Sequence, residues 1–155
     1  MAAVDLKSLF GKLNGTCRQA MENAVGLAVS RCHYEVGPEH WLLKLLEPAD
    51  TDLAVIARHF DLDTARLGRD LTRRLERFRT GSGRDTASLA PPLVQLVKAA
   101  WLVASVDFGA ARARSGHVLY ALLAEEAADG EAWRAGELGR IPPDALRQAL
   151  PALLA

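Results

Sequence analysis

The sequence carries no excess charge of either sign: 19 Lys and Arg stand against 19 Asp and Glu in 155 residues. A chain without a net field lacks the long-range attraction that draws proteins to a phosphate backbone or an anionic lipid surface, which argues against nucleic acid and membrane as partners. Long hydrophobic runs are missing too. The longest, such as Trp101–Ala104 and Val118–Ala124, fall far short of the roughly 20 apolar residues a spanning helix needs. Asp5 precedes the first basic residue, and no unbroken apolar stretch leads to a small-residue cleavage site, so no secretory signal and a cytoplasmic setting are expected. Cys17 and Cys32 lie fifteen positions apart in what reads as one helix. That places them more than about 20 Å apart, which excludes a bridge and predicts reduced, packing thiols.

Chemical signatures are equally scarce. No His-Glu-x-x-His and no paired Cys-x-x-Cys is present, so no metal site is expected. The glycines at Gly81 and Gly83 lack the lysine and the preceding strand of a phosphate-binding loop, so the chain is expected to bind neither ATP nor any other cofactor. Ser115 has no Gly-x-Ser-x-Gly setting, and Glu125 and Glu126, adjacent on a helix, point apart. A non-catalytic binding domain follows, with a hydrolase built on His40 and His117 as the remaining enzymatic alternative. Those two histidines, each at the start of a short helix, are read as structural groups that hydrogen-bond the turn beginning it. Arg66, Arg69, Arg73, Arg74, Arg77, Arg79 and Arg84 face only Asp70, Glu76 and Asp85. No stacking aromatic accompanies them except Phe78, whose spacing from Leu71 and Leu75 assigns it to the core, so they read as a solvated helix face rather than an RNA or acidic-partner site.

What is present is helical periodicity. Leu6, Leu9, Phe10 and Leu13 line one face of an opening amphipathic helix over about 4–14. Asn14-Gly15 ends it, and Thr16 with Gln19 forms a capping box for a second helix reaching about Arg31, with Cys17, Met21, Leu27 and the small residues Ala20, Ala24 and Ala28 on one side. Pro38 opens a helix to about Glu47, Thr51 caps one carrying Ile56, and Asp63 caps one carrying Leu67, Leu71 and Leu75. Residues 80–88 hold two glycines and no large apolar group, which predicts a mobile linker.

The order then returns. A helix over Pro91–Phe108 precedes one from Ser115 to Ala124, and an offset of 77 positions lays His40-Trp41-Leu42-Leu43-Lys44-Leu45-Leu46 over His117-Val118-Leu119-Tyr120-Ala121-Leu122-Leu123. An offset of 79 lays Leu62, Leu67 and Leu71 over Ile141, Leu146 and Leu150, the change falling in polar Asp129–Gly139. With no sustained period-two alternation, the fold class is all-α: a single domain of two pseudo-two-fold repeats, 16–79 and 89–155, of about four helices each, preceded by an extra helix.

The segments Val36–Leu46 and Ser115–Leu123 together resemble the doubled signature of the N-terminal domains of Clp-type AAA+ chaperones. Leu9-Phe10-Gly11-Lys12-Leu13-Asn14-Gly15-Thr16-Cys17-Arg18 and Phe108-Gly109-Ala110-Ala111-Arg112 are similar to the ClpV branch of bacterial type VI secretion. Gly37 departs from the threonine or serine that relatives often carry there. The resemblance implies substrate recruitment: capture, in a hydrophobic groove, of an N-terminal helix of the sheath large subunit, so that the contracted sheath is disassembled and recycled. It implies that ATP and homohexamer assembly belong to ATPase modules outside these residues. Because the two repeats can close a core without the opening helix, and the resemblance assigns partner binding to this region, the recruiting surface is expected on Leu6, Leu9, Phe10 and Leu13, with Cys17, Met21 and Ala24 beside them; the alternative is that the opening helix packs down as an extra core helix. The alternative within the family is a general domain for unfolded substrates or an adaptor protein.

Overall fold

The computed structural model describes residues 5–81, 86–124, 133 and 136–154. They form eight α-helices: α1 (Leu6–Phe10), α2 (Gly15–Ser30), α3 (Pro38–Leu46), α4 (Asp52–His59), α5 (Thr64–Leu75), α6 (Pro91–Leu102), α7 (Ser115–Ala124) and α8 (Pro143–Leu153). A π-helical turn, Val103–Asp107, continues α6, and a 3-10 turn, Glu137–Arg140, precedes α8. Two two-residue strands, β1 (Glu35–Val36) and β2 (Ser88–Leu89), pair in parallel with Glu35 opposite Ser88. The all-α class holds.

Local sequence explains most of the helix starts. Thr51 Oγ1 accepts from the Ala54 N–H and Asp63 Oδ1 from the Arg66 N–H, the caps expected for α4 and α5. For α2 the cap is Asn14, not Thr16: in extended geometry its Oδ1 reaches the Cys17 N–H at 2.9 Å, so Thr16 already lies in the first turn. The opening helix is shorter than about 4–14, because Gly11 and Lys12 turn out of it and Leu13 leaves the helix to pair with Ala113. The ends of 80–88 are tied down rather than loose: Gly81 N–H donates to the Cys32 carbonyl, Ser88 N–H to Tyr34, and Thr80 bridges His33. The readings made for Gly83, Arg84, Asp85, Glu125, Glu126 and most of Asp129–Gly139 lie outside the described residues.

Both halves use the same local devices. α7 begins 77 residues after α3, and α8 begins 79 after α5. Beyond α2, Cys32 takes the left-handed conformation (φ 59°) while its N–H and that of His33 return to the Val29 and Ala28 carbonyls; beyond the π-helical turn Gly109 does so at φ 62°. Cys32 is therefore an exposed helix-stop residue and not the packing thiol its spacing implied. Buried Trp41, Leu42 and Leu45 of α3 meet α2 and α5, while Leu119 and Leu123 of α7 meet α6, and the Trp41 indole donates to the Cys17 carbonyl at 3.1 Å.

The halves are joined by buried charge. Asp52, the first residue of α4, accepts from Arg114 Nε at 3.0 Å, from Arg114 Nη2 at 2.7 Å and from the Gly116 N–H at 3.3 Å, while Arg114 Nη1 also holds the Leu154 carbonyl. Buried Glu137 accepts from the Asp63 N–H at 2.8 Å and from Arg140, tying the start of α5 to the 3-10 turn. Removing one partner of such a set strands the others. Asp52→Ala should lower unfolding free energy by about 2–3 kcal/mol in urea titrations, whereas Lys44→Ala, which breaks the exposed pair with Glu47, should cost less than about 0.5 kcal/mol.

Candidate functional site

α1 is stitched to the second half of the chain. Asp5 caps it, accepting from the Lys7 N–H and the Ser8 hydroxyl. Past its end, Ala113 N–H donates to the Lys12 carbonyl at 2.7 Å, Asn14 N–H donates to the Ala113 carbonyl at 2.9 Å, and the Arg112 guanidinium donates to the Gly11 carbonyl. The Lys12 ammonium lies 5.2 Å from the centre of the Trp101 ring on α6, against which α1 packs.

This placement divides the residues singled out in the sequence. Leu9 is 6% exposed, Met21 5%, and Leu13, Cys17 and Ala24 are fully buried. The premise that the opening helix's apolar face is spare is thus corrected: Leu9 and Leu13 complete the core, because the backbone pairing at Ala113 draws the segment inward. Cys17, Met21 and Ala24 belong to the buried face of α2. Burial, with Asp52 nearby, pushes the Cys17 thiol up to about 12, so it stays protonated. Leu6, 40% exposed, and half-buried Phe10 remain at the surface.

Sequence reasoning missed two residues. Leu102 is 60% and Val106 74% exposed. On a helical wheel Leu102 falls opposite Leu93, Val97, Ala100 and Ala104, which face the core; that projection was the available signal. Among the described residues, Leu6, Leu102 and Val106 are the large hydrophobic side chains left exposed. All three belong to α1 or to the helix beneath it.

The histidines do what their positions suggested. His40 Nδ1 accepts from the Gly37 N–H at 2.9 Å, and His117 Nδ1 accepts from the Arg114 N–H at 3.0 Å. His40 must then carry its proton on Nε2, which it donates to His33 Nδ1 at 2.8 Å, with Phe78 edge-on to the His40 ring. Phe78, expected on the α5 core face, lies beyond the helix end and is half-buried against this pair. Burial foremost, then the neighbouring His33 and Arg31, holds the His40 pKa down to about 4; burial and Arg31 lower that of His33, and burial that of His117. Arg66, Arg69, Arg73, Arg77 and Arg79 are exposed, as read, while Arg74 turns in to pair with Glu39 at 3.2 Å and stack on Trp133.

The fold defines a small, predominantly helical domain. The Clp repeat (R) N-terminal domain family matches residues 12–134, and the chain belongs to that family. The AAA+ ATPase ClpV1 of Pseudomonas aeruginosa is 33% identical over 123 residues, 79% of this chain, which spans only 14% of that relative's length. The N-terminal domain of the ClpV1 ATPase from the E. coli EAEC Sci1 type VI secretion system is 37% identical with a TM-score of 0.79, covering 95% of this chain and 88% of the other. A solved structure named for a peptide from the EAEC Sci1 SciI protein contains a chain 36% identical to this one, with a TM-score of 0.81 and coverage of 97% and 94%. Within its family the chain resembles the ClpV branch.

Lowered histidine pKa values set the sign of the acid response. The unfolded chain, with histidines near about 6.5, binds more protons than the folded one, so stability is full above that value and falls as pH drops toward about 4. Urea midpoints should decline between about pH 7.5 and about pH 5, and His40→Gln should make the decline shallower, whatever its effect at neutral pH.

Proposed function

We propose that this chain is the substrate-recruiting domain of a ClpV-like AAA+ ATPase, and that it captures an N-terminal helix of the type VI secretion sheath large subunit. The observation that carries this reading is the confinement of the exposed large hydrophobics to α1 and the α6–π helix. An amphipathic helix docked on α1 and the α6–π helix would cover Leu6, Phe10, Leu102 and Val106, with buried Leu9 and Leu13 fixing the opening segment to the core. Each leucine-sized anchor contributes roughly 1.5–3 kcal/mol, and immobilising a peptide helix consumes much of the sum, which suits micromolar affinity. The likeness to the structure named for the SciI peptide supports the partner class. Force for disassembling and recycling the contracted sheath would come from ATP-driven modules, assembled as a homohexamer, outside these residues.

Leu102→Glu with Val106→Glu should weaken binding of the sheath subunit's N-terminal peptide at least about tenfold in fluorescence anisotropy, with helical circular dichroism and Tm unchanged. Leu6→Glu should do likewise, whereas Leu9→Glu should lower Tm because it charges a core position. Unaltered binding in both exposed-site variants sinks the reading. Equal affinity for an unrelated unfolded protein would favour the general-substrate alternative.

A further inference from the structure

The elements that carry the recruiting surface proposed above also carry most of the chain's lysines. Of the chain's four lysines, Lys7 lies on α1, Lys12 just after it, and Lys98 on α6 one turn before Leu102; only Lys44 is elsewhere. Arg112 joins them, fixed by its hydrogen bond to Gly11. Among the described residues none of Lys7, Lys12, Lys98 or Arg112 pairs with a carboxylate, while Lys44 does, at 2.9 Å from Glu47.

Of the carboxylates on the same elements, Asp107 pairs with Arg147 at 2.9 Å, which leaves Asp5, the cap of α1, as the one that faces these four cations. Residues 91–106 contain no acidic side chain at all. A chain of zero net charge has therefore gathered a surplus of positive charge on the elements that bear its exposed apolar residues. Cations spaced about Leu6, Leu102 and Val106 cannot improve burial of a leucine, but they raise the encounter rate and set the orientation of a helix whose flanks are negative.

We propose, building on the docking reading, that this surface selects an amphipathic helix whose apolar stripe is flanked by carboxylates, and that Lys7, Lys12, Lys98 and Arg112 are its specificity determinants. Lys12, lying over Trp101, is held by that ring, and Arg112 is held by its hydrogen bond, so those two are presented to the partner at little further entropic cost.

The test uses two synthetic amphipathic peptides with the same leucine stripe, one flanked by glutamates and its twin by lysines. At about 50 mM salt the glutamate peptide should bind about tenfold tighter, with the two converging toward about 0.5 M salt. Lys7→Glu with Lys98→Glu, which leaves Lys12 on Trp101 and should keep the parent's Tm, should reverse the order, and the Gln versions should level it. Equal binding of both peptides that is still lost in the Leu102/Val106 variant leaves docking standing and overturns charge selection. If neither peptide binds the parent, both readings fall.

Discussion

The carboxylate of Asp52 is the point on which the two halves of the molecule turn. It begins α4 in one half and receives the guanidinium and the backbone that begin α7 in the other. Through Arg114 the same joint reaches the end of α8. His117 accepts from the Arg114 N–H, so the orientation of α7, and of the α6 pair it packs with, depends on where Arg114 is held. A charge buried this far must find partners or it destabilises the fold, and here both partners, Arg114 and Gly116, stand at the start of α7.

The opening segment inherits that rigidity. Leu9 and Leu13 sink into the core while Leu6 and Phe10, one helical step away, stay at the surface, so one five-residue helix is part core and part surface. Isolated helices that short do not persist in water; α1 exists because its cap, the Ala113 pairing and the Arg112 clasp hold it. Leu102 and Val106 stay exposed for a geometrical reason: Leu93, Val97, Ala100 and Ala104 take the core-facing side of the same helix, leaving the opposite side no internal neighbour.

How much of this could be read in advance follows from range. The caps at Thr51 and Asp63 and the acceptor role of His40 and His117 involve donors within three residues, and such contacts are written in the local sequence. Asp52 with Arg114 and Glu137 with Asp63 are separated by more than sixty residues, and charge alone could not pair them. The choice of Asn14 over Thr16 was a contest between two competent caps, decided by the turn that draws Leu13 to Ala113. That same pairing accompanies the burial of Leu9 and Leu13, which helical spacing on its own left open. Cys32 was misplaced by the length of α2: the helix stops at Ser30, and a residue read as its last turn became the reversal after it.

The parallel pairing of Leu13 with Ala113 also has mechanical meaning. Tension drawn along the chain from α1 loads the Lys12–Ala113 and Ala113–Asn14 hydrogen bonds together, in shear, where they resist as a pair instead of parting one by one. Behind them stands α2, sixteen residues of continuous helix bedded in the core, which receives the pull end-on as a strut. A tug that reaches the chain beyond α1 is thus passed at Lys12–Asn14 into the body of the domain.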